Sequence, residues 1–450
     1  MIVAKFGGTS VSSRESILTI CEIVKNQKNL DLVVVVSALS GITDLLLSLP
    51  SLPKYKFQAE IRRLKNTHKE LINKVFKDPK EQKRVMQFVD EKVNEILKLN
   101  LNNQKKTLDK LCSFGEIISS YIVANALDQN GIKSFQVLAT DLIVTNDNFG
   151  SADFILEPTK RNVKSILTPI IKRGIVPVVT GFIGSTTSGQ VTTLGRGGSD
   201  YTASIIGFCL GVKEIQIWTD VDGMFTADPR LVTTARSLPV VSFKEAAEMA
   251  TFGARVLHPR TIHPAIKAGI PVRVLNTFNP KSHGTLIIKE VKTSKAIRSI
   301  SFKRKITLVN IYSTEMLLQR GFLARVFKIF GSNDLSIDLV SVSEVSISVS
   351  LDNDGGLVNA VKQLSSFTSV SIIKDLGMVS LIGEGVTSSS QTIKKIFDIL
   401  DKEQILVRMV SLGATNINIS LVIESDKVEK AVKVLHERLL FASSGIIASK

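Results

Sequence analysis

A lysine and two glycines stand together near the start of the chain, in the segment KFGGTSV of residues 5–11. An apolar run precedes this segment and a helical pattern follows it. Glycines let backbone N–H groups approach phosphate oxygens, and a helix N-terminus with a nearby lysine adds positive charge. The residue order is not that of a P-loop, because the GxxxxGK[ST] spacing is absent. From its residues alone, the segment predicts either a phosphate site or a tight turn.

A second glycine-rich loop, TTLGRGGSDYTA at residues 192–203, adds an arginine and an aspartate. The Arg196 guanidinium can hold a carboxylate in two parallel hydrogen bonds, while Asp200 can receive an ammonium group or position the attacking substrate. Such a pair suits a zwitterionic substrate. The alternative is that Asp200 only stabilises the N-terminus of the helix that follows.

A third polar cluster, WTDVDGMFTADPR at residues 218–230, begins at the end of an apolar run. In open α/β sheets, ligands bind beyond the carboxyl ends of the strands. Asp222-Gly223 and Asp228-Pro229 are also typical turn sequences. Taken alone, the cluster therefore predicts either part of a ligand site or a series of turns.

The elements that must position these loops alternate along the first 290 residues, where short β-branched runs are followed by helical patterns. This alternation predicts a mostly parallel sheet with helices on both faces. The predicted strands are Ile2–Phe6, Leu32–Ser37, Val176–Ile183, Ile215–Thr219 and Val272–Leu275. Capping boxes formed by Ser12 with Glu15, and by Ser242 with Glu245, predict where two helices begin.

Beyond about residue 300 the pattern changes to short strands and helices, and the sequence matches itself at an offset of 70 residues. The matched apolar pairs are Phe327 with Phe397, Ile329 with Ile399, Leu335 with Ile405, Leu339 with Met409, Ile347 with Ile417, and Leu351 with Leu421. This register predicts two copies of a small α+β unit, which bury more apolar surface together than alone. The alternative is a chance coincidence of short periodic patterns.

The composition is that of a globular protein of 450 residues, 44% hydrophobic, with a net charge of +16. Residues 54–110 carry 16 Lys and Arg against 8 Asp and Glu. Apolar residues recur there at helical spacing, so we interpret the charges as the solvated face of an amphipathic helix rather than a nucleic-acid surface. Cys21, Cys112 and Cys209 lack metal-ligand spacing and are predicted to be buried free thiols.

The sequence carries no signal for export or membrane insertion. No apolar stretch approaches the roughly 18 residues of a membrane-spanning helix. Lys5, Gly7 and Gly8 interrupt the start of the chain before a signal-peptide core could form. We therefore expect a cytoplasmic protein with neither membrane nor nucleic-acid partners.

Together, the three polar clusters resemble the aspartate kinase family. Residues 5–11 match that family's signature KFGGTSV, and TLGRGGSDYTA (193–203) with WTDVDGMFTADPR (218–230) is similar to its catalytic core. Further matches are SALSGIT at 37–43, FGE at 114–116 and AAEMATFGARVLHP at 246–259. The resemblance spans the whole chain, and the repeated tail resembles the tandem ACT domains of the lysine-sensitive monofunctional enzymes.

The resemblance implies an α/β catalytic domain of amino-acid-kinase type at residues 1–292, a sandwich built on a mostly parallel sheet. A regulatory region at 300–450 would hold two ACT-like, ferredoxin-like α+β repeats. These repeats are expected at about 306–376 and 377–440, with the C-terminal end of the chain completing the first. Because the family binds effectors at ACT interfaces between subunits, the resemblance also implies a homodimer or larger homo-oligomer.

The implied reaction is phosphorylation of the side-chain carboxylate of L-aspartate by ATP, giving 4-phospho-L-aspartate for lysine, threonine, methionine and diaminopimelate synthesis. Lys5 and Asp200 are the implied catalytic residues. The implied ATP-binding residues are Lys5, Gly7, Gly8, Thr219, Asp220, Phe225, Arg230 and Arg255. The implied aspartate-binding residues are Thr43, Glu116, Arg196, Ser199 and Asp200.

This chemistry needs positive charge more than a base. The substrate carboxylate has a reference pKa of about 3.9, so it is ionised at neutral pH and ready to attack. Repulsion between anions is the difficulty, which cations and oriented amides relieve. We expect Mg²⁺ to arrive with ATP, without a dedicated protein metal site. Phe225 and Arg255 stand where the family often has Tyr and Lys, and Arg keeps the charge but not the shape of Lys.

The first repeat resembles the region in which lysine-sensitive enzymes hold their inhibitor. The matching residues are Met316, Gly321, Phe322, Leu323, Ser336, Asp338, Ser343 and Glu344. The second repeat has Arg408 where the first has Asp338, and Ala414 where it has Glu344. Only the first copy is therefore expected to bind a basic effector, L-lysine. Gln319 stands where lysine-sensitive relatives have a smaller serine.

Two other functions compete with this interpretation. Another kinase of the same fold, such as an acetylglutamate, glutamate 5- or uridylate kinase, would share the phosphate site but lack the RGGSD loop and the paired tail. A catalytically idle amino-acid sensor would keep the tail, but Lys5, Arg196 and Asp200 are intact and argue against it.

Overall fold

The computed structural model describes most of the chain, namely residues 1–27, 31–101, 104–252, 259–291, 296–317, 319–413 and 416–441. The chain forms two compact units. The first comprises Met1–Met224, Ser237–Phe243 and Val256–Val291, and the second comprises Phe225–Arg236, Lys244–Arg255 and Lys292–Lys450.

The strands of the described residues are numbered along the chain. They are β1 (Ile2–Phe6), β2 (Leu32–Val36), β3 (Ser134–Val137), β4 (Val144–Thr145), β5 (Val176–Thr180), β6 (Ile183–Thr186), β7 (Val191–Thr193), β8 (Glu214–Thr219), β9 (Val240–Ser242), β10 (Val272–Asn276), β11 (Thr285–Ile288), β12 (Ser299–Tyr312), β13 (Leu339–Val342), β14 (Ser346–Leu351), β15 (Ser369–Ile382), β16 (Val407–Leu412) and β17 (Asn418–Glu424).

The α-helices are numbered in the same way. They are α1 (Arg14–Asn26), α2 (Ile42–Ser48), α3 (Lys54–Val75), α4 (Pro79–Leu97), α5 (Lys105–Gln129), α6 (Ala139–Leu142), α7 (Leu156–Lys172), α8 (Gly198–Leu210), α9 (Phe243–Thr251), α10 (His263–Ala268), α11 (Phe322–Ser332), α12 (Leu357–Leu364), α13 (Ser390–Lys402) and α14 (Val428–His436).

The first unit is organised by a sheet of eight strands in the order β3-β5-β2-β1-β8-β10-β11-β9. The strands from β3 to β10 run parallel to their neighbours. Alternate residues of β1 and β2 pack into one apolar cluster with α1, α3, α4 and α5. Because successive strand residues point to opposite faces, Val3, Val33 and Val35 face the other side, where α8 packs against β1 and β2. The predicted parallel sheet with helices on both faces is confirmed.

Two local predictions in this unit were wrong. The apolar run Val176–Ile183 is not one strand, because the chain turns at Phe182, which has a φ of 69°, and β6 joins a separate sheet with β4 and β7. The capping box of α1 is formed by Ser13 and Ser16 instead of Ser12 and Glu15. The second error comes from two adjacent serines of similar capping preference, between which the local sequence does not decide.

The second unit is built on a six-stranded antiparallel sheet in the order β13-β14-β12-β15-β17-β16. Its two long central strands, β12 and β15, each contribute residues to both α+β repeats. The later part of β12 pairs with β14 and with the beginning of β15, while Ser299–Arg304 pairs with the end of β15. The first α+β repeat is therefore continuous along the chain, whereas the second receives its outer strand from residues that precede the first.

The repeat found at an offset of 70 residues corresponds to matching elements. Helix α11 is followed by β13 and β14, and α13 is followed by β16 and β17 in the same order. Phe327 and Phe397 lie on α11 and α13. The end of the chain, which we expected to complete the first repeat, falls largely on residues 442–450, outside the described residues.

The structure can also be compared with the predictions made from composition. Cys21, Cys112 and Cys209 are free and buried, as predicted, and burial raises the pKa of each thiol. The basic stretch 54–110 forms α3, α4 and the start of α5, with apolar residues facing the core. Among the described helices, none is both long and apolar enough to cross a membrane.

Candidate active site

The predicted site residues of the first unit gather at one edge of its large sheet. Strands β1, β2 and β8 are parallel neighbours, so their carboxyl ends at Phe6, Val36 and Thr219 face the same side. Strand β1 lies between β2 and β8, so that β2, β5 and β3 extend the sheet on one side of it and the later strands, from β8 onwards, extend it on the other. A crevice at such a point is where open α/β sheets bind ligands.

A buried ion pair lies at this edge. The Lys5 ammonium on β1 is 2.6 Å from Asp200 Oδ1 in the first turn of α8, and the two side chains are only 12% and 10% exposed. Asp200 also benefits from the positive end of that helix. The pair holds a cation and an anion in fixed positions at the strand end, so that each can contact a charged substrate group.

The glycines after β1 allow a close approach of three backbone segments. The Gly7 N–H donates to the Trp218 carbonyl at 3.1 Å, so this amide is already engaged within the protein. A Cβ on Gly8 would lie only 2.9 Å from the Ala38 carbonyl oxygen. The Ser12 hydroxyl donates to Gly8 O at 2.5 Å and accepts from the Ser40 N–H at 2.8 Å. The glycine turn is thus bound tightly to the loop after β2.

Glu116 on α5 is a buried carboxyl next to the same loop. Its Oε1 accepts a hydrogen bond from the Ala38 N–H at 3.2 Å, and Oε2 has no partner within the described part of the chain. Burial raises the pKa of Glu116 to about 8. A buried carboxyl with a free oxygen is suited to receive an ammonium group, which would favour its ionised form.

Arg196 lies at the exposed tip of the loop between β7 and α8. The flanking Gly195 and Gly197 have φ values of 77° and 70°, a left-handed conformation that favours glycine. Ser199, in the first turn of α8, packs so closely on Gly181 that a Cβ there would lie 2.5 Å from its Oγ. These features give the RGGSD loop one defined course.

Thr43 is in the first turn of α2, which follows the left-handed residue Gly41. Its neighbour Ile42 contacts the Gly115 region of α5, since a Cβ on Gly115 would lie 3.4 Å from Ile42 Cγ2. Thr43 is therefore attached to the part of α5 that carries Glu116.

Asp109 is a functional candidate that the sequence reasoning missed. It lies on α5 seven residues before Glu116 and is only 3% exposed. Its carboxylate accepts hydrogen bonds from the Thr193 N–H and hydroxyl and from the Gly150 N–H, at 2.9, 2.7 and 2.9 Å. Burial raises its pKa and these bonds act in the opposite direction. An acidic residue within the apolar helix sequence LDKLCSFGE was the available signal.

Of the predicted nucleotide residues, Thr219 and Asp220 lie at the end of β8, where the Thr219 hydroxyl donates to Asp220 Oδ1 at 3.1 Å. Phe225 and Arg230 belong to the second unit. Arg230 is exposed and makes a bidentate pair with Asp228, which lowers the pKa of that carboxyl. Arg255 lies outside the described residues.

The segment that carries Phe225 and Arg230 is attached to the regulatory sheet of its own unit. The Ser299 hydroxyl donates to the Phe225 carbonyl at 2.8 Å, and the Ile300 N–H donates to the Thr226 carbonyl at 2.8 Å. The Thr226 hydroxyl also contacts His436 Nε2 on α14 at 2.9 Å. From the sequence, this segment was expected in the catalytic domain, and its contacts with the regulatory sheet were not predicted.

The predicted effector residues differ in their environments. Phe322 is in the apolar core of the first repeat, against Phe367. Asp338 is largely buried and forms an ion pair of 2.9 Å with Lys303, which also lies 3.0 Å from Asp352. Met316 is partly buried, and Gly321 precedes α11 with a φ of 83°. The exposed members are Leu323, Ser336, Ser343 and Glu344.

The comparisons with known proteins agree with this architecture. Residues 1–276 match the Amino acid kinase family, and residues 379–439 match an ACT domain. The chain is 38% identical to aspartokinase 1, chloroplastic, of Arabidopsis thaliana, with 97% of this chain and 79% of that protein covered. The chain belongs to the aspartokinase family. It is therefore an ATP-dependent amino-acid kinase, and the activity common to the family is phosphorylation of aspartate.

Solved structures of the E. coli aspartokinase III have the same fold. Its complex with aspartate and ADP is 33% identical, with a TM-score of 0.84 over 98% of this chain and 100% of the other. Its complex with lysine and aspartate has a TM-score of 0.82 at 33% identity, over 98% and 99% of the two chains. The predicted fold class, a kinase domain followed by ACT domains, is confirmed for this aspartokinase.

Proposed function

We propose that this aspartokinase transfers the γ-phosphoryl group of ATP to the side-chain carboxylate of L-aspartate, giving 4-phospho-L-aspartate and ADP. The observation that carries the proposal is the buried pair of Lys5 and Asp200 at the carboxyl end of β1. It puts a fixed ammonium beside the glycine turn, where phosphate charge has to be neutralised. The solved E. coli relative binds aspartate and ADP together, which supports the same pair of ligands here.

On the substrate side, Arg196 binds the α-carboxylate of aspartate, and Glu116 and Asp200 bind its ammonium group. Thr43 and Ser199 complete the contacts. A planar guanidinium at a loop tip can pair with a carboxylate through two hydrogen bonds. Glu116 supports the assignment because its buried Oε2 accepts no hydrogen bond from the described residues. This division leaves the side-chain carboxylate of the substrate free to attack.

On the nucleotide side, Lys5 is the principal cation and works with the backbone of Gly7 and Gly8. The remaining ATP contacts are proposed for Thr219, Asp220, Phe225, Arg230 and Arg255. Because Gly7 donates to the Trp218 carbonyl, its amide must exchange partners or leave the phosphate contact to Gly8. A Mg²⁺ ion would neutralise part of the phosphate charge. We expect this ion to enter with ATP.

We further propose that L-lysine inhibits the enzyme by binding the first ACT repeat. Asp338 and Glu344 supply charge for a basic effector, and the complex of the E. coli relative with lysine supports the choice. The other proposed contacts are Met316, Gly321, Phe322, Leu323, Ser336 and Ser343. This regulation fits a homodimer, cytoplasmic localisation, and a first step towards lysine, threonine, methionine and diaminopimelate.

We keep domain limits of 1–292 and 300–450, with repeats near 306–376 and 377–440.

The test is ADP release by purified protein with Mg-ATP and L-aspartate, run beside L-glutamate and N-acetylglutamate, each with and without L-lysine. We expect turnover with aspartate but not with L-glutamate or N-acetylglutamate, and we expect L-lysine to suppress this turnover. Turnover that is indifferent to lysine would remove the effector assignment and leave the kinase. Folded protein that releases no aspartate-dependent ADP would contradict the proposed reaction.

A further inference from the structure

Asp109 is a buried carboxylate with three hydrogen bonds, and none of the proposed substrate contacts uses it. Oδ2 accepts from two backbone amides, Thr193 N–H and Gly150 N–H, while Oδ1 accepts from the Thr193 hydroxyl. A carboxylate is costly to bury, and it persists where several donors compensate it. All three donors belong to segments beside the RGGSD loop, which suggests a role in holding that loop.

Asp109 and Glu116 share one face of α5. Seven residues correspond to about two helical turns, so their side chains lie on the same side, separated by roughly 10 Å along the axis. Glu116 bonds to the loop after β2 through Ala38, and Asp109 bonds to the end of β7 through Thr193. One rigid helix therefore connects the proposed ammonium contact with the origin of the loop that carries Arg196.

The Thr193 anchor is reinforced by the neighbouring loop. The Ala152 N–H donates to the Thr193 carbonyl at 2.9 Å, so this loop bonds directly to the end of β7. A Cβ on Gly195 would lie 3.0 Å from Ser151 Oγ. Arg260 holds the other side of the loop, with 2.6 Å bonds to Ser151 Oγ and Asp153 Oδ1. At Thr193, three residues before Arg196, the backbone thus has little freedom.

We infer that Asp109 is a positioning residue that sets the distance between Arg196 and Glu116, and so the affinity of the enzyme for its amino-acid substrate. The inference rests on the proposed roles of those two residues. Asp109 itself touches no substrate. Its effect reaches aspartate through Thr193, whereas the glycine turn is bound to the Trp218 carbonyl and, through Ser12, to the loop after β2. Loss of Asp109 should therefore weaken aspartate binding while ATP binding is retained.

The test compares Asp109→Ala, Asp109→Asn and Thr193→Val with wild-type protein, by measuring KM for aspartate and for ATP and the melting temperature. Asp109→Ala leaves the buried Thr193 amide and the Gly150 amide without their common acceptor. We expect KM for aspartate to rise about tenfold, because small displacements of binding groups have large effects. Asn keeps an oxygen for the amides, and its NH₂ can donate to the Thr193 hydroxyl. Asp109→Asn should therefore restore most of the affinity.

Thr193→Val removes only the hydroxyl bond and should raise KM for aspartate about threefold, in line with one lost hydrogen bond. Val123→Ala is the matched control. Val123 is buried on α5 seven residues after Glu116, so its truncation loosens the same helix without touching the loop. It should lower the melting temperature and leave both KM values near those of wild type.

The inference is overturned if Asp109→Ala melts earlier but keeps its KM for aspartate, or if the KM values for ATP and aspartate rise together. An unchanged KM for aspartate in Thr193→Val also overturns the inference. If Asp109→Ala does not fold, the Thr193→Val result alone decides whether the inference holds. Wild-type protein without aspartate-dependent turnover would instead contradict the proposed function. The two failures are therefore distinguishable.

Discussion

Two regions of this chain are proposed to bind amino acids, and they are built differently. In the first unit the charged groups other than Arg196 are buried: Glu116 is 3% exposed, and Asp200 is paired with Lys5. In the first ACT repeat, Ser343 and Glu344 are exposed on a turn. Asp338 is the buried exception, and its partner there is Lys303.

The difference concerns how much of each site is organised before a ligand binds. Burying charge is unfavourable unless partners compensate it, so the catalytic residues must be held by a rigid surround. Exposed side chains keep their water and can reorganise on binding. Substitutions of the buried charged residues of the first unit should therefore have large effects on activity, and substitutions of the exposed residues of the repeats should have small effects on lysine inhibition. The effect of substituting Asp338 should lie between these two.

The largest effect is expected for Lys5→Ala. The change removes the buried cation and leaves Asp200 unpaired, so we expect kcat to fall about a thousandfold, as for the loss of a fixed group that stabilises transition-state charge. Single-turnover ADP formation would measure it. Lys65→Ala is the control, because Lys65 pairs with Asp90 on the surface of α3 and should keep full activity. A Lys5 variant within tenfold of wild type would contradict the comparison.

The next largest effect is expected for Glu116→Gln, which cannot ionise to balance the substrate ammonium. We expect KM for aspartate to rise about thirtyfold, since a hydrogen bond to a charged group contributes about 2 kcal/mol. KM for ATP should change little. Initial rates over a range of aspartate concentrations would measure the change. Equal increases in both KM values would indicate a general structural defect instead of a lost ammonium contact.

The raised pKa of Glu116, about 8, gives this prediction a pH dependence. Below pH 8 the free enzyme holds a proton on Glu116 that must leave when the ammonium binds. KM for aspartate should therefore fall as the pH rises from 6.5 towards 8 in wild-type protein, and should be flat in Glu116→Gln. An identical pH profile in both proteins would exclude Glu116 as the group that titrates.

The same carboxyl should affect stability with the opposite sign. Its pKa is raised from an ordinary value of 4.5 to about 8, so between pH 4.5 and pH 8 the folded protein holds more protons than the unfolded chain. The free energy of unfolding of the ligand-free enzyme should consequently decrease as the pH rises from 4.5 to 8. Denaturant titrations at several pH values would measure this slope, which Glu116→Gln should reduce.

Much of this contrast could be predicted from the sequence. The glycine loops at residues 5–11 and 192–203 indicated the edge of the sheet where Lys5 and Asp200 meet. Asp109 was missed, because an acidic residue among the apolar residues of a helix is also consistent with an exposed position. The partner of Lys303 was equally hidden, since that contact joins β12 to the residue before β13, which are far apart in the sequence.

A moderate effect is expected for Asp338→Ala in the ACT repeat. Burial raises the pKa of Asp338 and the Lys303 ammonium acts against this, so the carboxyl is already committed to an internal partner. We expect the lysine concentration for half inhibition to rise about tenfold, as for a lost charge-assisted contact, while kcat without lysine is retained. Inhibition curves at fixed aspartate would measure it. Unchanged inhibition would remove Asp338 from the effector site.

The smallest effect is expected at the matching position of the second repeat. Arg408 makes a 3.0 Å ion pair with Glu424, and both side chains are more than 40% exposed. Exposed pairs of this kind contribute about 0–1 kcal/mol, so Arg408→Ala should change the melting temperature little. The positive charge of Arg408 repels a basic effector, so the second repeat is not expected to bind lysine. Removing Arg408 should therefore leave lysine inhibition as it is in wild type. If inhibition weakens in Arg408→Ala as much as in Asp338→Ala, both repeats take part in effector binding. The asymmetry between buried Asp338 and exposed Arg408 would then not decide which copy binds lysine.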